Sequence, residues 1–225
     1  MPTPSDAYIH HFDINTVYYL TFKDGEDLDA AKNKMFANKS DSTVKYVIDR
    51  WYKNNLISYE KYIEDTVWCN DRSIYSGALL SKDSSGLDYS YFNTYYRNFV
   101  TFKPSLKCSN KNDRFTVDKA NGNGDLTYPV GLLTADEMTL AGHGKSGYNT
   151  KSYLTIETIL AQYWSMSPYA QTGVSAHGIA QWGGMTYGGT PTSSYKIRPS
   201  ISLKNSAKIK SGNGGEDFPY VILTE

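Results

Sequence analysis

Few residues in this chain have the types and spacing that chemistry needs. Of the four histidines, His10 and His11 are adjacent, and His143 and His177 stand alone, so no His-x-x-x-His pair is offered to a metal. Two cysteines, Cys69 and Cys108, lie far apart in sequence. They suit one disulfide in an oxidising compartment or two buried thiols, and without a nearby histidine pair they do not complete a zinc site. Asp136 and Glu137 look like an acid pair, but they follow Thr134 at the start of a capped helix and are explained there. Asn121, Asn123 and Asp125 put oxygens at alternate positions, as a calcium loop does. Leu126 stands where that loop needs glycine and no glutamate closes it, so a Gly/Asn turn is the better reading. The triplets Asn70-Asp71-Arg72 and Asn112-Asp113-Arg114 repeat, and their charges suit buried ion pairs that fix loops. No nucleophile elbow, phosphate-cradling loop or dinucleotide fingerprint occurs, and no cofactor is implied.

Composition points to recognition. There are 20 Tyr against 8 Phe, and Tyr, Ser, Asn, Thr and Gly dominate the loops. Tyrosine supplies rigid amphipathic area and the small polar residues supply adaptable hydrogen bonds; a tyrosine-rich β-protein has the same composition. Lys+Arg and Asp+Glu number 23 each, so bulk charge gives no reason to expect nucleic acid or an anionic membrane as partner. No apolar run reaches transmembrane length and Met1 to Ser5 has no leader character, which predicts a cytosolic chain or a piece excised from a longer one.

The elements that must position these residues follow from periodicity. A pairing segment is expected at 17–22 and a helix over 27–39. The clearest helix is Ser42 to Leu56, where Val44, Val47, Ile48, Trp51 and Tyr52 form one apolar stripe. A shorter helical pattern starts at Ser58, with Tyr59, Tyr62 and Ile63 on one side. Residues 75–98 read as a long loop with a short helix near Tyr91 to Asn98. Leu106 to Cys108 and Arg114 to Val117 read as extended. The densest text is Tyr128 to Gly142. Pro129 forces an extended approach, Val130, Leu132 and Leu133 are apolar, Thr134 and Glu137 form a capping box, Met138 and Ala141 continue one apolar face, and Gly142 stops the helix. Residues 153–164 are mixed. From Tyr163 the pattern is β, with Gly and Pro between short strands. The last strand, Phe218 to Leu223, is expected to pair with the N-terminal one.

Leu133 to Ala141 resembles the Leu-Pro-Thr-x-x-Glu-Trp-x-x-Ala segment of sulfatase-modifying-factor (formylglycine-generating-enzyme-like) domains. Tyr163-Trp164-Ser165-Met166-Ser167 is similar to their Trp-Ser strand, and Ile197-Arg198-Pro199 to their Phe-Arg-Pro signature, in the same order and spacing. The text from Asp49 through Cys69-Asn70-Asp71-Arg72, Asn112 to Val117 and Pro219 to Ile222 resembles an uncharacterised domain of large bacterial surface proteins. The resemblance covers residues 40–225 and leaves 1–39 as an extension with a first strand. It implies an α+β, C-type-lectin-like fold. Two helices, Ser42 to Leu56 and Thr134 to Gly142, would pack on small antiparallel sheets, with long loops and the termini close together.

The chain departs from the enzymes of that group, since no cysteine follows Cys108, and from calcium-dependent lectins, since the Glu-Pro-Asn loop and the Trp-Asn-Asp that follows it are missing. Variable proteins of diversity-generating retroelements share the frame and bind through aromatic and small polar residues of the last sheet. The positions implied here are Tyr169, Gln171, His177, Gln181, Trp182, Tyr187 and Tyr195. The expectation is a non-catalytic adhesion or ligand-recognition module at the bacterial cell surface or exterior, part of a longer chain, taking a protein or glycan ligand. A sulfatase-modifying-type enzyme and a structural spacer are the alternatives.

Overall fold

Thr43–Asn55 forms helix α1, and its buried arc is narrower than the sequence stripe. Val44, Ile48 and Tyr52, four residues apart, are fully buried, while Trp51 is exposed. Lys45 takes the place beside them: it is buried with its ammonium 2.6 Å from Asp49 and 3.2 Å from the Thr127 hydroxyl. The computed structural model describes residues 43–73, 75, 81–82, 88–89, 92–143, 154, 163–170, 175–179, 185–189, 196–215 and 217–224. The segments expected at 17–22 and 27–39 lie outside them, as does the N-terminal extension.

After α1, Ile57–Tyr62 is a 3-10 helix with no buried residue, not a second amphipathic helix. Ile63 is buried because it has already entered a strand, β1 (Ile63–Glu64), which pairs antiparallel with β9 (Ser202–Leu203). Strand β2 (Trp68–Cys69) pairs with β5 (Arg114–Phe115). Inside the stretch expected to be loop lies a hairpin, β3 (Ser81–Lys82) with β4 (Asp88–Tyr89); Ser84, Ser85 and Gly86 between them are turn-forming types that a search for long periodicity passes over. The helix expected near 91–98 is present as α2 (Asn93–Tyr95), continuing as a π-helical turn, Tyr96–Val100. Residues 106–108 do not enter a strand.

Residues 128–140 follow the expected order of approach, cap and short helix, but Ala141 does not continue the apolar face. Gly131 bridges Ser200, with N–H···O distances of 3.1 and 2.9 Å, and Met166 N–H donates to the Leu133 carbonyl at 2.9 Å. Gly131 lies against the Trp68 ring, which a Cβ there would approach to 2.5 Å. Helix α3 (Ala135–Leu140) follows. Gly142, at a φ of 91°, ends it, and Ala141 lies beyond the buried face and is exposed. Strands β6 (Tyr163–Ala170), β7 (Ser175–Ile179) and β8 (Met185–Gly189) make one antiparallel sheet. The last strand, β11 (Val221–Ile222), pairs with β10 (Ile209–Ser211), and the N-terminal segment expected beside it lies outside the described residues. Gly212 and Gly214, both at positive φ, supply the turn that makes this short-range pairing accessible.

The result is a mixed α+β arrangement of helices and small antiparallel sheets. One core joins Val44, Ile48 and Tyr52 of α1 to Trp68, Phe115, Leu132, Trp164 and Met166. A smaller one joins Phe99, Ala135, Met138 and Tyr163. Burial pushes the Tyr52 phenol up to about 12, with Glu60 and then Tyr128 adding to it. Among the described residues no helix is long and apolar enough to cross a membrane.

Candidate functional site

The β6–β8 sheet carries three of the seven implied binding positions. Pro168 is paired with Ala176 and Ala170 with Ser175, which makes Tyr169 the extra residue of a β-bulge. On β7, Ala176 faces Gly189 and Gly178 faces Thr186, so His177 stands opposite the bulged step that contains Tyr187. The backbone therefore sets Tyr169, His177 and Tyr187 at neighbouring levels of three adjacent strands. Gln171, Gln181, Trp182 and Tyr195 lie outside the described residues.

What holds this sheet is visible atom by atom along β6. Trp164 and Met166 are buried in the main core, and Trp164 N–H donates to the Lys196 carbonyl at 3.1 Å. The Ser167 hydroxyl accepts the Ala135 N–H at 2.9 Å, which ties β6 to the first turn of α3. The Thr94 hydroxyl donates to the Pro168 carbonyl at 2.6 Å, immediately before the bulge. Arg198 lies over the Tyr163 ring, 4.5 Å from its centroid, and donates to the Leu154 carbonyl. Burial pushes the Tyr163 phenol well above its ordinary range, and Arg198 pulls it part of the way back.

The first turn of α3 is built as the sequence predicts. Thr134 Oγ1 accepts the Glu137 N–H at 3.1 Å, and Glu137 Oε2 accepts the Thr134 N–H at 2.7 Å. Thr134→Ala should cost about 1 kcal/mol in chemical denaturation, and Thr134→Ser should retain the cap; an unchanged midpoint in the alanine variant would refute a stabilising role for the box. Asp136, read from sequence as serving only this turn, has a different principal partner. Arg97 grips its carboxylate with two bonds, Nε to Oδ1 at 2.9 Å and Nη2 to Oδ2 at 2.7 Å, and the Ser105 N–H adds a third at 2.8 Å. The same guanidinium reaches Asp71 Oδ2 at 2.7 Å, and the other Asp71 oxygen accepts from the Ser73 N–H and hydroxyl. Burial lowers the Arg97 pKa, but Asp136 and then Asp71 more than offset this, so it ends above the ordinary range. Sequence pattern could not reveal this hub, because Arg97 lies in tyrosine-rich text and its partners are 26 and 39 residues away.

The two Asn-Asp-Arg triplets interlock. Arg72 Nε donates to Asp113 Oδ1 at 2.7 Å, Arg72 Nη2 to the Asn112 carbonyl at 3.1 Å, and Asn70 N–H to the Asp113 carbonyl at 2.9 Å. Both ion-pair side chains are 1% exposed. Burial pushes the Asp113 carboxyl up to about 6, against the pull of Arg72. Arg114 turns outward from this pair and holds the Cys108 carbonyl at 2.7 Å. Cys69 and Cys108 are joined as a disulfide, with Cα atoms 5.9 Å apart, so of the two states open to them the structure has the bridge.

A cavity of about 140 Å³ opens between these bolts, lined by Asp71, Arg97, Lys107, Asp136, Glu137 and Ser167 among others. Of its charges, Arg97, Asp71 and Asp136 are committed to one another and Glu137 to the Thr134 cap. In the 118–125 loop, Asp118 and Asn123 accept backbone N–H groups two residues ahead and Asn123 donates to the Asn112 carbonyl, which is turn chemistry. Among the described residues no cluster of three His, Cys, Asp or Glu side chains is placed to hold a metal ion. His143 is buried at the end of α3, its N–H on the Met138 carbonyl. In comparisons with protein-family models, with curated proteins and with solved structures, the chain matches none.

Proposed function

We propose that this chain is a non-catalytic recognition module of C-type-lectin-like type, part of a bacterial surface or secreted protein. Its ligand, a protein or a glycan, is taken on the β6–β8 sheet and the loops that join it. The observation that carries this reading is the strand register: Tyr169, His177 and Tyr187 occupy neighbouring levels of three adjacent strands, beside a bulge of the kind that re-aims side chains. Rigid aromatic anchors on a firmly held sheet are what a recognition face requires. The scaffold supports the same reading, because its acids and bases are used on each other: Arg72 with Asp113, and Arg97 with Asp71 and Asp136. The Cys69–Cys108 bridge suits an oxidising exterior.

Screening the full chain against immobilised glycans and host-cell proteins should give a ligand. Trp182→Ala and Tyr187→Ala should each weaken its binding by about 2 kcal/mol, the cost of removing an interface anchor. Full binding by both variants would remove the sheet as the recognition face.

A further inference from the structure

Tyr75 and Tyr96 are stacked with ring centroids 3.6 Å apart and planes 13° from parallel. Tyr96 beside it, with slight burial, raises the Tyr75 phenol. Rings stacked this closely and this nearly parallel put the ring carbons of one, the ortho positions among them, against the face of the other. The segment leading into Tyr75 is held to the residues on either side of Tyr96. Asn93 N–H donates to the Ser73 carbonyl and the Asn93 side chain to the Ser73 hydroxyl, both at 2.8 Å, and Arg97 holds Asp71. Both rings are partly exposed, so an oxidant reaches them.

From this geometry we propose that Tyr75 and Tyr96 are a dityrosine cross-linking site, closed by a haem peroxidase with hydrogen peroxide as the oxidant. Each phenol loses one electron and one proton. The two phenoxyl radicals couple through one new ortho C–C bond, and the two ring hydrogens at that bond move to the oxygens as the rings become aromatic again. One hydrogen peroxide is reduced to two waters, so the cross-linked chain is two hydrogens lighter. Coupling is favoured because the stack already holds the two rings face to face and the Ser73–Asn93 and Asp71–Arg97 contacts keep their segments together. The two other stacked ring pairs among the described residues do not qualify. Tyr52 against Tyr128 is at 5.0 Å with Tyr52 fully buried, and Tyr95 packs on Phe99, which has no hydroxyl. The product would be a second covalent staple between the Asp71 and Arg97 segments, and its chemistry is independent of any ligand on the sheet.

Dilute full-length protein treated with a haem peroxidase and one equivalent of hydrogen peroxide should yield an intrachain pair of peptides joined at Tyr75 and Tyr96. The linked species should be lost in Tyr75→Phe and in Tyr96→Phe, both of which retain the ring, and should fall sharply when wild type is oxidised in urea. Cross-links confined to other tyrosines, interchain products alone, or equal yield of the 75–96 link from folded and urea-unfolded chain would each overturn the proposal.

Discussion

Reduction of the Cys69–Cys108 disulfide should cost about 4 kcal/mol of stability, the entropy of closing a loop with a sequence separation of 39. For a chain of this length that is a fall in Tm of about 10 °C. The size of the effect follows from what else holds the two ends. Strands β2 and β5 are two residues long, and their pairing places Cys69 opposite Arg114, whose side chain holds the Cys108 carbonyl. Residues 101–105 are held by the Thr101 and Lys103 N–H groups on the Tyr96 and Arg97 carbonyls and by the Ser105 N–H on Asp136, and the disulfide and Arg114 then hold the return of the chain to β5. Urea unfolding with and without reductant, and of a Cys69→Ser/Cys108→Ser variant, measures it. The reduced and variant proteins should share one lowered midpoint. A midpoint unmoved by either treatment would show that the bridge constrains nothing that unfolding releases.

Legibility of this molecule in its sequence divides by the range of the interaction. The capping box of Thr134 and Glu137 is local, spans three residues, and is found as read. Helix α1 is legible because its apolar residues repeat at helical spacing, although the pattern did not tell which edge of the stripe would face solvent. Lys45 inside and Trp51 outside follow from Asp49 and Thr127 being there to receive an ammonium, which periodicity does not encode. The triplets at 70–72 and 112–114 signal buried pairs, and their partnering across β2 and β5 is a tertiary result. Arg97 is invisible for the same reason. Short strands also escape: β3, β4 and β10 are two or three residues each, too brief for alternation to register. Of the implied binding positions, Tyr169, His177 and Tyr187 stand on the described strands, and it is pairing between strands, not any local pattern, that puts them at neighbouring levels.

These bolts have one consequence for the sheet. Asp136 sits in the helix that Ser167 ties to β6, and Arg97 links that helix to Asp71, two residues from the disulfide. Thr94, whose hydroxyl holds Pro168, belongs to the helical segment that leads into Arg97. The two residues of β6 just before the bulge at Tyr169 are thus held by two helical segments that Arg97 and Asp136 tie together. If the sheet takes a ligand as proposed, a backbone held this way has less freedom to lose, which would lower the entropic cost of binding.

Removing the cation from the innermost pair tests the scaffold most severely. Arg72→Met should destabilise by about 3–5 kcal/mol, because it leaves the Asp113 carboxylate buried without its partner. The loss should depend on pH, and its sign is fixed by the Asp113 titration. In wild type the folded value, about 6, lies above the ordinary 3.8, so this group's contribution is whole below about 3.8 and is lost as the pH rises through about 6. Without Arg72 the carboxyl rises further, since the guanidinium is what pulls it down. The deficit of Arg72→Met relative to wild type should therefore be larger at pH 7 than at pH 4. Adding Asp113→Leu to Arg72→Met should recover much of the loss at neutral pH, because a buried pair replaced by apolar side chains no longer carries an unpaired charge. Urea midpoints of the three proteins at the two pH values decide it. An equal deficit at both pH values would mean that Arg72 acts through packing and its bond to the Asn112 carbonyl, not through the charge of Asp113.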